Sequence, residues 1–285
     1  MTLCVGTLCD DRKTIVLVAD RMFGIGGWAE AELNIRKATA IHKDWMVMIA
    51  GNDVAPAVDI IDDLRSRLKV GSSWSVCAVI EQTVEAYKCK RMKDAETKYL
   101  SSRGWTMEKF RTEGLALLGQ SSYDELDLRL QNAELSITML VAGFDEDGIG
   151  HLFSVSDPGQ HQRHDLNGFH AIGSGEFGAY YMMLWRELHV KMPLETMLYF
   201  SEEAKIFGEQ AGGVGYKSDI YVMRHGCRTR KLTRGSVNAL DSVWNLLRPK
   251  ELVRKQRDQL AKLKEVKSLR AELRALRPKA RKAKR

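Results

Sequence analysis

Short apolar runs rich in strand-forming residues begin the chain. Residues 2–9 and 14–19 consist largely of Val, Leu, Ile, Thr and Cys and are separated by a short polar turn. A second pair of such runs covers residues 37–42 and 45–50. The pattern predicts two strand pairs, and the first strand starts at Thr2. A strand that begins so early would hold Thr2 in a fixed register.

Apolar residues further along recur at the three- and four-residue spacing of helices, in two groups separated by strand-like runs. The predicted helices are residues 54–68, 72–99, 106–133, 176–190 and 194–211, and the predicted strands are residues 136–144, 151–155, 169–172 and 219–223. Strands in two groups, with helix pairs after each group, favour an α/β (α+β) fold. We predict a four-layer αββα sandwich of two antiparallel sheets flanked by helices.

Charge divides the chain into two parts. Residues 227–285 hold 20 Lys or Arg and 5 Asp or Glu, a net charge of +15, whereas residues 1–226 hold 24 and 32, a net charge of −8. We therefore expect an acidic folded domain at 2–226 and a basic helical C-terminal extension at 227–285. Between residues 249 and 276, leucines and one valine recur at helical spacing, which predicts an amphipathic helix.

Three interpretations of the basic extension stay open. It can be a solvated helix with a frayed end, a segment that docks on a neighbouring subunit, or a surface for nucleic acid or another acidic partner. Residues 249–285 contain no aromatic side chains among the basic ones, so specific recognition of bases is the least favoured of these roles.

Composition also argues against several classes of protein. No apolar run approaches the ~20 residues that cross a bilayer, and the first residues lack the pattern of a secretory signal. The five cysteines form no CxxC motif, which is typical of free thiols in a reducing compartment. We expect a cytoplasmic protein with no membrane partner, no cofactor and no bound metal.

Several motifs occur in the order found in proteasome β-type subunits, which are N-terminal-nucleophile hydrolases. They are a Thr at the start of the first strand (Thr2), an Asp closing the second (Asp20), a Lys opening the third (Lys37), an Ala-Gly turn before the first helix (residues 50–55), and the glycine-containing stretches 172–175 and 211–215. The start MTLCVG and the later VADR are most similar to the bacterial ancestral branch called Anbu. The resemblance covers residues 2 to about 224.

The resemblance implies a threonine-type endopeptidase, in which Thr2 attacks peptide bonds after removal of Met1, inside a self-assembled ring. It implies catalytic roles for Thr2 (nucleophile), Asp20 and Lys37 (the activating charged pair), Gly51 (backbone donor to the oxyanion) and Ser174 (proton relay near the amine), and it places Ile49 and Asp53 beside the substrate. The implied partners are a peptide or unfolded protein and further copies of the chain; an unfoldase partner stays unknown.

Each of these residues also has an ordinary structural interpretation. Thr2 can be a strand residue behind a retained Met1, and Ser174 can cap the helix that follows it. Arg36 precedes Lys37, so a one-residue shift would bring a guanidinium, which does not deprotonate in proteins, into the site. Two other functions on the same fold stay open: a catalytically silent assembly protein and an amidase for small amides.

Three further features of the sequence are weaker candidates for a site. The imidazoles of His161 and His164 lie three residues apart without a Cys or carboxylate pair nearby, so we interpret residues 161–164 as a polar loop. The glycine-rich residues 24–27 lack the strand-to-helix setting of a phosphate-binding loop. Cys4 falls within the first strand, and we interpret it as a core residue.

Overall fold

The computed structural model of the chain describes residues 2–25, 29–32, 36–51, 53, 55–68 and 73–247. The chain forms two compact units, residues 1–240 and 241–285. The described part of the second unit, residues 241–247, is helical. The amphipathic helix predicted between residues 249 and 276 lies outside the described residues.

Strands and helices occur in the mixed order that the apolar pattern predicts. The strands are β1 (Leu3–Cys9), β2 (Thr14–Asp20), β3 (Met22–Ile25), β4 (Ala29–Glu32), β5 (Ala38–Ala40), β6 (Trp45–Gly51), β7 (Ile137–Phe144), β8 (Gly150–Ser156), β9 (Gln160–Arg163), β10 (Phe169–Gly173), β11 (Ser218–Arg224) and β12 (Arg230–Lys231). The described α-helices are α1 (Ala55–Arg67), α2 (Val76–Tyr99), α3 (Met107–Leu118), α4 (Gln120–Gln131), α5 (Glu176–Trp185), α6 (Leu194–Gly208) and α7 (Arg234–Leu247), and a short 3₁₀ turn covers Ser101–Arg103.

Two five-stranded antiparallel sheets form the centre of the molecule. Sheet 1 has the order β10-β1-β2-β11-β12, and sheet 2 has the order β5-β6-β7-β8-β9. Strands β3 and β4 form a separate two-stranded hairpin. Strand β1 therefore lies inside sheet 1, with β2 on one side and β10 on the other, and both of its edges are hydrogen-bonded.

Alternating residues of each strand point to opposite faces, and this alternation builds the layers. Cys4 and Leu8 of β1 pack in one buried cluster with Met48 of β6 and Leu140 of β7, so the two sheets face each other. Gly6 allows the close approach, because a Cβ there would lie 2.8 Å from a methyl carbon of Leu152 in sheet 2. The two sheets pack face to face through this cluster.

The outer faces of the two sheets are covered by different helices. The outward residues of sheet 1, such as Val5 and Val18, form a buried cluster with Met183 of α5 and Met197 of α6. The outward residues of sheet 2 form a second cluster with α1 and α2, and α2, α3 and α4 enclose a smaller third cluster. The predicted four-layer αββα sandwich is thereby confirmed for the described residues.

Some elements differ from the prediction. The hairpin of β3 and β4 was not predicted, whereas α7 lies within residues 227–285, where a helical extension was predicted. Residues 161–163 belong to strand β9 at the edge of sheet 2, so the prediction of a polar loop there was wrong. All four residues of β9 are exposed, which explains why it lacks an alternating apolar signal. Within the described residues, no helix is long and apolar enough to cross a membrane.

Candidate active site

Thr2 lies at the start of β1, where the chain enters the middle of sheet 1. Its side chain is buried, with 4% of the residue exposed. On the β10 side, Gly173 has a φ of +107°, and a Cβ at this position would collide with the Thr2 carbonyl oxygen. Only glycine fits both this backbone conformation and the close approach. The motif at residues 172–175 thus shapes the surroundings of Thr2.

The Asp20 carboxylate is the centre of the site. It ends β2, the neighbour of β1, and its side chain is fully buried. Its Oδ1 accepts a hydrogen bond of 2.9 Å from the Thr2 hydroxyl and one of 2.8 Å from the Leu3 N–H. Its Oδ2 accepts hydrogen bonds of 2.9 Å from the N–H groups of Met22 and Gly215. Three backbone donors therefore fix the carboxylate before its charged partner is considered.

The charged partner of Asp20 is Lys37. Its Nζ lies 2.6 Å from Asp20 Oδ1 and also donates to Thr2 Oγ1, and only 9% of its side chain is exposed. Arg36 is exposed, so the lysine and not the arginine enters the site. A cation in contact with a hydroxyl favours the ionised oxygen, which makes the oxygen a better nucleophile.

Ser174, which follows β10, contacts the backbone of Thr2 and not its hydroxyl. Its hydroxyl donates to the Thr2 carbonyl oxygen at 3.3 Å and lies 3.4 Å from the carbonyl oxygen of Gly212. Helix α5 has Gly175 as its N-cap residue, with no side-chain capping bond. The alternative in which Ser174 caps α5 is therefore wrong. Its hydroxyl instead joins the start of β1 to the glycine-rich stretch at 211–215.

Ile49 and Gly51 lie on β6 in sheet 2, the sheet that faces Thr2, and Asp53 follows β6. The backbone N–H of Ile49 donates to the Lys37 carbonyl at 3.3 Å, so β6 supports the lysine. Gly51 ends β6, and a Cβ there would lie 2.7 Å from a methyl carbon of Ile137. Asp53 is exposed, and its Oδ1 accepts the N–H of Ala55 at 2.9 Å, where α1 begins.

Two backbone donors of this site, the N–H groups of Met22 and Gly215, were missed in the sequence. Gly215 belongs to a stretch that was noted only for its resemblance, yet its N–H is a direct partner of Asp20. A Cβ at Gly215 would lie 2.8 Å from the Met22 nitrogen, so this position also excludes a side chain. The signal available in the sequence was the glycine cluster itself, which is typical of a close backbone approach.

Cys4 does not compete with Thr2 as a nucleophile. Burial raises the pKa of its thiol to about 12, and Lys37 only partly opposes this effect. At neutral pH the group is a thiol and not a thiolate, and a thiol is a poor nucleophile. The interpretation of Cys4 as a core residue is confirmed by its complete burial between the sheets.

The two histidines that were considered as ligands lie in different settings. His161 is exposed on β9, whereas His164 is buried, lies 2.9 Å from the Ser154 hydroxyl and stacks on His170 with ring centroids 3.5 Å apart. Burial lowers the pKa of His164 to about 4. Among the described residues, no three His, Cys, Asp or Glu side chains are grouped so that they could hold a metal ion.

No protein-family model matches the chain, and no curated protein matches it either.

Proposed function

We propose that the chain is a threonine-type peptidase of the proteasome β type, with Thr2 as its nucleophile. One observation carries the proposal: the Thr2 hydroxyl, held at the start of a central strand, contacts both the buried Asp20 carboxylate and the Lys37 ammonium. A structural threonine needs one hydrogen-bond partner at most. A hydroxyl between a carboxylate and a cation is instead typical of an activated nucleophile.

The reaction requires a free α-amine on Thr2, and therefore the removal of Met1. The amine, with an ordinary pKa near ~8, takes the hydroxyl proton, directly or through water. Oγ1 bonds to the carbonyl carbon of the substrate, and the carbonyl π electrons move onto the oxygen. The C–N bond then breaks, and the leaving amine takes the proton. Water hydrolyses the resulting ester and regenerates Thr2.

The charged pair and the facing strand assist these steps. Lys37 stabilises the developing negative charge on Oγ1, and Asp20 keeps the ammonium in place. The Gly51 N–H is the proposed donor to the substrate oxyanion, in agreement with its position at the end of β6. Ile49 and Asp53 flank Gly51 and are proposed to contact the residue that precedes the scissile bond.

Self-association is the second part of the proposal, and helix α5 supports it. Three aromatic side chains on α5 are largely exposed: Phe177 by 71%, Tyr181 by 72% and Trp185 by 81%. They are four residues apart and therefore share one face of the helix. Phe177 and Tyr181 also border a cavity of about 450 Å³ beside α5. An exposed aromatic patch next to a cavity is typical of a protein–protein interface.

The nucleophile is tested with a peptide epoxyketone, which needs the hydroxyl and the free amine of the same terminal threonine. Purified full-length protein is treated with the reagent, digested and mapped by mass spectrometry. We expect one adduct, on Thr2, and an intact mass that shows the loss of Met1. Hydrolysis of peptides without an adduct on Thr2 would contradict the assignment. Hydrolysis of small amides but not peptides would favour the amidase, and a retained Met1 would favour the silent assembly protein.

Self-association is tested by light scattering on Trp185→Ser, which removes the most exposed aromatic side chain of α5. We expect a smaller assembly than that of the unmodified chain. The matched control is Leu128→Ser on α4, a leucine that is 58% exposed on another helix, and this variant keeps the original mass. Deletion of residues 249–285 tests the docking role of the basic extension in the same assay. An equal mass for the Trp185→Ser protein and the unmodified chain would contradict a role for α5.

A further inference from the structure

Helix α6 carries a fully buried lysine on the face that packs against sheet 1. Lys205 is 0% exposed, although its neighbours on this face include the apolar Ala204 and Met197. A buried ammonium is costly unless it is paired and hydrogen-bonded, and an apolar side chain would fill the same space without that cost. The presence of a lysine here therefore calls for an explanation other than packing.

The partners of Lys205 suggest what that explanation is. Its Nζ lies 2.5 Å from Glu209 Oε1, one helical turn further along, and 2.7 Å from the backbone carbonyl oxygen of Tyr216. Glu209 balances the charge. The contact with Tyr216 is different, because it ties the helix to a segment of backbone that leads into β11.

Residues 215–217, which we call the clamp segment, are held at every position. The Gly215 N–H donates to Asp20 Oδ2 at 2.9 Å, which makes the segment part of the candidate active site. The N–H of the last residue, Lys217, donates to Glu32 Oε1 at 2.9 Å, and its carbonyl accepts from the Arg21 N–H at 3.1 Å. The Lys205 contact fixes the middle residue, between these two attachments.

We propose that Lys205 is a positioning residue for the Thr2 site. Its ammonium fixes the Tyr216 carbonyl, and this keeps the preceding peptide unit in the orientation in which the Gly215 N–H reaches Asp20. Asp20 in turn orients Lys37 and the Thr2 hydroxyl. The consequence for catalysis rests on the proposed function, whereas the positioning of the Gly215 N–H does not.

The test variant is the double substitution Lys205→Met and Glu209→Gln. Methionine keeps an unbranched side chain, and glutamine removes the carboxylate that would otherwise be left without its cation. We expect amide hydrogen exchange at Gly215 to become at least about ten-fold faster, because the segment loses its central attachment. We expect kcat for peptide hydrolysis to fall about ten-fold or more, with KM within about two-fold, since a hydrogen bond to a charged group is weakened.

The matched control is Ser201→Ala, one helical turn before Lys205. Ser201 is also fully buried and makes a hydrogen bond of 2.9 Å to the Thr7 hydroxyl, away from the clamp segment. This variant loses a buried hydrogen bond but keeps the clamp, so we expect wild-type kcat and wild-type exchange at Gly215. Equal losses of kcat in the control and the double variant would overturn the proposal, because they would indicate a general effect of destabilising α6.

Hydrogen exchange separates this proposal from the proposed function. Unchanged exchange at Gly215 in the double variant would overturn the positioning role, whatever the activity. Faster exchange in a protein whose unmodified form hydrolyses no peptide would support the positioning role and contradict the peptidase.

If the double variant does not fold, Gly215→Ala disturbs the same hydrogen bond without altering α6. Its Cβ would lie 2.8 Å from the Met22 nitrogen and 3.0 Å from Glu32 Oε1, so the segment must move. We expect the same fall in kcat, and a wild-type kcat in an active protein would overturn the proposal that the Gly215–Asp20 hydrogen bond supports the Thr2 site.

Discussion

Two carboxylates, Asp20 at the end of β2 in sheet 1 and Asp165 next to sheet 2, both contact a cation and backbone donors but have different chemical neighbours. Asp165 accepts hydrogen bonds of 2.6 Å from Arg163 and 2.9 Å from the Leu152 N–H, and its Oδ2 lies 3.1 Å from His151 Nδ1. Burial alone would raise the pKa of Asp165, but these hydrogen bonds hold it below its usual range. Both carboxylates are thus held in place by cations and backbone donors.

The difference lies in what the cation touches. Lys37 contacts the Thr2 hydroxyl as well as its carboxylate, whereas Arg163 and His151 contact Asp165 without a hydroxyl or thiol among the partners named above. A guanidinium also does not give up its proton in proteins. A buried ion pair is therefore not a sign of catalysis by itself. An ion pair indicates a catalytic site when its cation also contacts a group that can act as a nucleophile.

The strongest test of this comparison is Thr2→Ala. Removal of the hydroxyl should lower peptide hydrolysis by about 10³-fold or more, as is usual for loss of a nucleophile, while the fold is retained. Thr2→Ser, which keeps the hydroxyl and the amine, should retain measurable activity. Rates are measured on purified protein, with circular dichroism as the check of folding. Full hydrolysis by Thr2→Ala would show that the Asp20 site is as inert as the Asp165 site.

A comparison of Lys37→Ala with Arg36→Ala tests which of the two basic residues activates Thr2. Lys37→Ala should reduce kcat by about 10²-fold, because Asp20 is left without its charged partner and Thr2 without the nearby ammonium. Arg36 is exposed, and Arg36→Ala should keep the wild-type rate. Steady-state kinetics with one peptide substrate compares the two variants. The opposite pattern would mean that the arginine, and not the lysine, serves the site in solution.

Asp165→Asn tests whether the Asp165 cluster contributes to stability and not to hydrolysis. The amide removes the charge that His151 and Arg163 share, so we expect the free energy of unfolding to fall by about 1–3 kcal/mol. The rate of hydrolysis by the folded protein should stay unchanged. Urea denaturation gives the stability, and the same peptide assay gives the rate. A large fall in kcat at unchanged stability would show that the Asp165 cluster takes part in the chemistry after all.

The smallest expected effect concerns pH. Burial lowers the pKa of His164 to about 4 and, together with the neighbouring His164, that of His170 to about 3. Unfolded histidines titrate near ~6.5, so on acidification the unfolded chain binds protons that the folded chain does not bind. These two histidines should therefore leave the free energy of unfolding unaffected above about pH 6.5. They should lower it as the pH falls from about 6.5 towards about 4.

The control for this effect is His170→Phe, which keeps an aromatic ring beside His164 and removes one titrating group. Melting temperatures are measured at pH 7 and pH 5. The variant should lose about 2–4 °C less on acidification than the unmodified protein, as expected for roughly 1 kcal/mol in a protein of this size. Equal losses would mean that the stacked histidines do not account for the acid sensitivity.

The sandwich could be predicted from the sequence because its core strands carry a strong local signal. All residues of β1 and β2 are buried, and they read as continuous apolar runs. The strands that were missed have no such signal: β9 is exposed along its whole length, and β4 reads Ala-Glu-Ala-Glu. Edge strands and isolated hairpins depend on hydrogen bonds to a neighbour, and the apolar pattern does not report these bonds.

The candidate site could be predicted only in part. Asp20 lies 18 residues after Thr2, and Lys37 lies 17 residues after Asp20; resemblance to a family, not spacing, suggested that they meet. The Met22 donor was not predicted, because the type of a side chain does not indicate what its backbone N–H binds, and the glycine cluster at 211–215 did not show which N–H meets Asp20. Lys205 was missed for another reason: a lysine in a helical pattern is normally assigned to the solvent side.

The central position of β1 has a consequence for the order of events during synthesis. Residues 2–9 leave the ribosome long before their neighbour β10 (Phe169–Gly173), and Asp20 is not fully held until Gly215 has emerged. Contacts between such distant residues form late. The nucleophile proposed above would therefore lack the complete set of contacts around Asp20 for most of the time that the chain is being translated.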